Sequence, residues 1–207
     1  MKQKITRSIR ISRYVVYKET LVNFNEHFWA FIGSFVGIGL IALSQKYLIG
    51  INDTLFLIGS FGASSVLVYG VIESPLAQPR NLLGGHVVSA ITGVTVYKLC
   101  PDIIWLNASL AVSLSIVLMQ ITKTLHPPGG ATALIAVIGS EKIKSLGYIY
   151  VISPVLTGAL ILLITALIFN NITSNRRYPI PNRFTKLRRR IIYRVKSRIK
   201  VFSTSQK

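Results

Sequence analysis

The sequence predicts an all-α fold, a polytopic transmembrane helical bundle of about six hydrophobic passes. Three observations predict it. Of the 207 residues, 51% are hydrophobic and only 14% are charged. Residues 28–44, 54–72, 81–97, 103–122 and 145–175 contain no Asp, Glu, Lys or Arg, and a helix needs roughly 20 apolar residues to cross a bilayer. The positive charge is also concentrated at the ends. Of 24 Lys and Arg, six lie in residues 2–18 and twelve in residues 176–207. Lys and Arg beside spans mark cytoplasmic segments, so both termini are expected on the cytoplasmic side and the number of crossings is expected to be even.

The passes follow in order. The first runs from about Phe28 to Leu48, the second from Thr54 to Ile72, the third from Leu82 to Leu99 and the fourth from Ile103 to Ile121. The fifth is short, about Gly129 to Gly139, and the sixth runs from Gly147 to Phe169. A helix as short as the fifth reaches roughly 16 Å, against a hydrocarbon core of roughly 30 Å. It is expected to be a re-entrant half-helix, or a span completed by Leu125–Pro128. Residues 28–172 form the transmembrane unit in this reading, between a basic segment 1–27 and a basic C-terminal segment 173–207.

An internal repeat is visible. Gly62-Ala63-Ser64-Ser65-Val66-Leu67 resembles Gly130-Ala131-Thr132-Ala133-Leu134-Ile135, and Thr92-Gly93 resembles Thr157-Gly158, at offsets of 68 and 65 residues. Two three-pass units with an odd number of crossings each would be inverted copies. Such 3+3 inverted repeats are a recurring transporter plan, with the substrate site between the halves. Chance similarity among Gly- and Ser-rich spans is the alternative.

Residues 183–202 place Phe184, Leu187, Ile191, Val195, Ile199 and Phe202 at three- and four-residue steps, with basic residues elsewhere. That is one apolar stripe on a helix. A basic amphipathic helix beside a span is expected to lie on anionic lipid, which argues against a nucleic-acid arm. Arg176–Pro181 reads as the linker to it. The lipid bilayer and anionic headgroups are thus expected partners, and a homo-oligomer is a further arrangement the sequence allows. The single cysteine, Cys100, excludes an intrachain disulfide. A transit peptide in the serine-containing N-terminus would place the chain in a plastid membrane; an ordinary cytoplasmic tail places it in a bacterial cytoplasmic (inner) membrane.

Two motifs carry chemistry. His126-Pro127-Pro128-Gly129-Gly130 puts a helix breaker at membrane depth, where broken backbone is tolerated only if it is buried or lines a cavity. The helix after the break is expected to begin with free N–H groups and the positive end of its dipole, a ready site for a small anion. Gly129 and Gly130 leave that approach open, and Thr132 adds a hydroxyl. Gly62 and Ser64 are the corresponding positions of the second pass. The other motif, residues 73–86, carries Arg80, the one arginine between residues 14 and 175. Its planar fork suits an oxyanion; a positive-inside residue or a pair with Glu73 is the alternative. His86 follows just inside the third pass, and His86 or His126 could shuttle a proton. No metal-ligand spacing, no paired carboxylates and no Ser/His/Asp set point to a metal, a cofactor or an enzyme.

The motifs SPLAQPRNLLGGH at residues 74–86 and HPPGGATAL at residues 126–134, with GSFGASSVLVYG at residues 59–70, resemble the HPP family of integral membrane proteins. The resemblance covers roughly residues 30–170. It implies a small polytopic protein with four or more helical segments. It also implies that Arg80, His86 and the His126–Thr132 stretch are functional. Members in cyanobacteria and plastids are linked to nitrite transport. The expected function is therefore a transporter or channel for a small inorganic anion, nitrite first, bound at broken-helix N-termini near the midplane. A transporter of another solute or a cation, and a membrane scaffold or sensor acting through the basic tail, are the alternatives.

Overall fold

The computed structural model describes residues 24–48, 54–173 and 176–180, and every element among them is helical. The basic N-terminal tail before Phe24 and the amphipathic stretch 183–202 lie outside the described residues. Helix α1 is Phe24–Leu48, α2 is Thr54–Ser65 continued by a π-helical turn Val66–Gly70, α3 is Pro79–Leu99 and α4 is Ile104–Ile121. Helix α5 is Pro128–Ile138, α6 is the short Glu141–Ser145 and α7 is Thr157–Phe169.

Among the described residues, four segments are long and apolar enough to cross a membrane: Phe24–Tyr47, Pro79–Leu99, Ile104–Ile121 and Val151–Phe169. The two remaining passes, α2 and α5, are the short ones. Each boundary has a local cause. Pro79 starts α3, because a proline at the first helical position loses no intrahelical bond. Arg80 therefore lies in the first turn of α3 rather than in an extended loop. Pro128 starts α5 in the same way. The last pass is not continuous: Ser153, with φ −134° and ψ 119°, breaks Val151–Leu156 beside Pro154, which has no N–H to donate. The uncharged run from Gly147 to Phe169 shows where the span lies but not where it bends.

Helices α3 and α7 are the more buried spans, and α1 and α4 lie at the periphery. Phe24, Phe28, Phe31 and Phe35 on α1 and Trp105 on α4 are exposed, as a lipid-facing surface requires. Helix α1 packs on α7 and α2, while α4 packs on α3 and α5; α2 meets α5, and α3 meets the last pass. This is the adjacency that two three-pass units produce. The glycines of the sequence repeat make the corresponding contacts. A Cβ on Gly93 would stand 2.4 Å from the Ala133 carbonyl oxygen of α5, and one on Gly158 would stand 2.6 Å from the Phe61 ring of α2. In each half the third pass therefore presses a glycine against the short helix of the other half.

The chain does not leave the bundle at Phe169. Tyr178 is buried in the cluster of Ile41, Phe61, Val68 and Leu162. Its hydroxyl donates to the Ala77 carbonyl at 2.7 Å, and the Ile180 N–H donates to Gln78 Oε1 at 2.9 Å. Residues 176–180, expected to be a linker, are a strap across the link between α2 and α3.

Candidate functional site

The two short helices meet at buried side chains. Ser60 Oγ on α2 lies 2.7 Å from Thr132 Oγ1 on α5. One turn along α2, Ser64 Oγ lies 2.8 Å from His86 Nε2 on α3 and 2.9 Å from His126 Nε2 in the break before α5. His86 Nδ1 lies 2.8 Å from Thr132 Oγ1, and His126 Nδ1 lies 2.8 Å from the Leu76 carbonyl. Ser60, Ser64, His86, His126 and Thr132 are all between 0% and 1% exposed, out of reach of bulk solvent. Phe61 covers His86 at 4.9 Å between ring centroids, and the two imidazoles are 5.0 Å apart.

The order of hydrogens follows from one end. The Leu76 carbonyl can only accept, so His126 Nδ1 carries a hydrogen. With His126 neutral, its Nε2 accepts from the Ser64 hydroxyl. The Ser64 hydrogen is then used, so His86 donates from Nε2 to Ser64 Oγ. Neutral His86 accepts at Nδ1 from the Thr132 hydroxyl, and Thr132 Oγ1 accepts from Ser60. Every polar atom of the chain has a partner, and all the donors run in one direction. A weaker contact from Ser64 Oγ to the Ser60 carbonyl, at 3.2 Å, competes for the same hydrogen.

The backbone around the break is held by the other motif. Arg80 Nη2 donates to the Thr122 carbonyl at 2.8 Å, and Asn81 Nδ2 donates to the Leu125 carbonyl at 2.7 Å. These carbonyls at the end of α4 have no helical partner, and the first turn of α3 supplies one. Tyr150 Oη donates to the Thr132 carbonyl at 3.0 Å. Positive φ at Lys123 (57°) turns the chain out of α4 into the break.

The structure brings four of the expected site residues together: Ser64, His86, His126 and Thr132. Ser64 and Thr132 occupy equivalent positions of the sequence repeat. The other four are elsewhere or differently engaged. Arg80 is exposed, bonds to Thr122 and makes no ion pair with Glu73. The amides of Gly129 and Gly130 are not free: they donate to the His126 carbonyl at 2.8 Å and the Pro127 carbonyl at 3.1 Å. The Pro127-Pro128 segment is itself turn-like, which brings those acceptors within reach. Gly129 is a packing residue, since a Cβ there would stand 2.6 Å from Ser89 Oγ. Gly130 is half-buried with only Val112 near, and Gly62 has nothing within 4 Å. Gly62 lines an open groove of about 590 Å³ between α1 and α2 with Phe35, Ser65 and Tyr69.

Ser60, Tyr150 and the Leu76 carbonyl were not expected at the site. Ser60 was within reach of sequence reasoning, because it lies one helical turn before Ser64 on the same face. A backbone carbonyl gives no signal in a sequence.

The family model described as HPP, transmembrane region, matches residues 19–179. A transmembrane protein of Dictyostelium discoideum is 46% identical over 158 residues, covering 73% of this chain and 50% of the relative. A second transmembrane protein from the same organism is 48% identical over 158 residues, covering 73% of this chain and 54% of that relative. The chain thus spans about half the length of the curated relatives it matches. No solved structure matches. The buried His-Ser-His chain joins the two motifs that carried the resemblance, the family match spans both of them, and the protein is an integral membrane protein belonging to the HPP family.

Proposed function

We propose that this protein moves a small inorganic anion across the membrane, with nitrite the first candidate. One observation carries the reading. A chain of hydroxyl and imidazole groups is buried where the two short, broken passes meet, and no carboxylate among the described residues hydrogen-bonds to it. Hydroxyl and imidazole N–H groups can donate to an anion, whereas a cation would call for carboxylates or free carbonyls. The inverted-repeat plan supports transport, since such proteins bind their substrate between the halves. The described state is closed, with every donor of the chain engaged. An anion would take the place of one internal acceptor, exchanging a hydrogen bond rather than adding one. Arg80, in the first turn of α3, uses one donor on Thr122 and can offer the rest of its fork to an approaching anion. The reading places both termini in the cytoplasm, in a bacterial cytoplasmic membrane, with the basic tail on anionic lipid.

Nitrite uptake into proteoliposomes tests the proposal. Saturable uptake above that of protein-free liposomes is expected, and Arg80→Ala is expected to lower it by roughly 10- to 100-fold, the worth of one hydrogen bond to a charged group. Arg80→Lys should retain part of it. Absence of saturable uptake by the wild-type protein sinks the reading. Competition by a panel of anions and cations identifies the solute class, and uptake of cations alone would replace the anion by a cation.

A further inference from the structure

We propose that the two imidazoles bridged by Ser64 form a proton site, and that the protein takes up one proton with each anion it carries. This rests on the anion-transport reading and adds its coupling.

The geometry gives a proton a route between the two imidazoles through Ser64. Suppose a proton binds His86 at Nδ1. Thr132 then accepts from that N–H and turns its own hydrogen to Ser60, whose hydrogen turns away from Thr132, at the 2.7–2.8 Å distances already present. His86 is now an imidazolium donating to Ser64 from Nε2, and Ser64 still donates to His126 Nε2. The charge crosses when the His86 Nε2 hydrogen passes to Ser64 Oγ while the Ser64 hydrogen passes to His126 Nε2. One N–H and one O–H bond break, and one of each forms. His126 is then the imidazolium, donating to Ser64 from Nε2 and to the Leu76 carbonyl from Nδ1. Both contacts of Ser64 are within 2.9 Å, so the step needs no rearrangement of heavy atoms.

The surroundings make the proton necessary. From α2 the groups at the site are Ser60, Ser64 and Phe61; from the α2–α3 link, the Leu76 carbonyl; from α3, His86. The break supplies His126, α5 supplies Thr132, and the segment before α7 supplies Tyr150. None of these carries a fixed positive charge, and Arg80 is exposed and bonded to Thr122. An unpaired anion in such an interior is strongly disfavoured. A proton on the imidazole pair supplies the missing charge. Two protons on rings 5.0 Å apart would repel each other, which sets the ratio at one. The proton comes from water on the loading side and returns to water on the other, so the net movement carries no charge.

Proteoliposomes containing a trapped pH-sensitive dye test this with nitrite as the probe. Alkaline pH keeps free nitrous acid scarce, and protein-free liposomes give the background. Equal initial rates of proton and nitrite uptake are expected, independent of a potassium-valinomycin clamp on membrane potential. Ser64→Ala should lower coupled proton uptake by about a hundredfold, the lower end of what a positioned proton-transfer group contributes. Ser64→Thr, which keeps the hydroxyl, should retain it. Wild-type nitrite uptake without proton uptake, or uptake that follows the clamp, overturns the coupling and leaves the transport reading standing. Absence of wild-type uptake of any anion overturns both. The wild-type measurement decides the matter even if Ser64→Ala does not fold.

Discussion

Gly93→Ala is expected to destabilise the protein by about 2–3 kcal/mol, near the upper end of what overpacking costs. The added Cβ would meet the Ala133 carbonyl oxygen at 2.4 Å, the Ala136 Cβ at 2.8 Å and the Ala133 Cα at 2.9 Å. Two of the three atoms are backbone, so no side chain can turn aside, and α3 and α5 must separate. Thr132, adjacent to Ala133, would move with α5 and leave His86 and Ser60. Activity should therefore fall along with stability. Gly62→Ala is the matched control. Its Cβ has nothing within 4 Å, and alanine is the better helix former, so stability should stay level or rise by about 0.5–1 kcal/mol. Thermal unfolding in detergent, followed by the fluorescence of Trp29 and Trp105, separates the two. Equal midpoints for both variants would show that the α3–α5 approach is looser than described.

Arg176→Met is expected to cost still more, about 3–5 kcal/mol, because buried acceptors lose hydrogen bonds to a charged group worth roughly 1.5–3 kcal/mol each. Arg176 is 6% exposed. Its guanidinium donates to the Glu26 carbonyl at 2.8 Å, the Tyr69 carbonyl at 2.7 Å and Asn170 Oδ1 at 2.8 Å. It thereby ties the start of α1, the end of α2 and the end of α7 to one group. Methionine fills part of the space and leaves the Tyr69 carbonyl and Asn170 Oδ1 without this donor. Arg176→Lys should restore only part of the loss, since an ammonium lacks the planar fork. The neighbouring Arg177 is exposed, and Arg177→Met should change stability by less than about 0.5 kcal/mol. Loosening Arg176 also frees Tyr178 and the strap over residues 77–78, next to the Leu76 carbonyl that ends the hydrogen-bond chain. A midpoint equal to wild type would mean that the strap does not hold the bundle.

The pair Arg176 and Arg177 shows where sequence reasoning stops. Both count equally as positive charge beside a span, and both read as part of a linker. Only packing makes one a clamp and leaves the other in solvent. Arg80 shows the same limit. Its isolation in the sequence marked it as special, and its position in the first turn of α3 explains part of that: it supplies a donor to the Thr122 carbonyl. The glycines divide likewise. Gly129, Gly130 and Gly62 look alike as permissive positions, yet one is wedged against Ser89, one is half-buried and one faces a groove. Gly93 and Gly158 match in the sequence repeat, but only the packing shows each pressed against a short helix.

The sequence by itself determined a helical membrane protein, the location of its spans, the shortness of the fifth pass and the presence of two polar motifs. These are local matters: absence of charge over a given length, and prolines that stop helices, act within a few residues of themselves. What only the tertiary structure decided is which polar groups share a site. His86 and His126 are 40 residues apart, and Ser64 joins them because α2 and α5 cross where α3 passes. A buried hydrogen bond depends on distances of under 3 Å between separate helices. No spacing within one segment encodes that, so the direction of the hydrogen-bond chain, and the carbonyl that sets it, emerged only from the packed bundle.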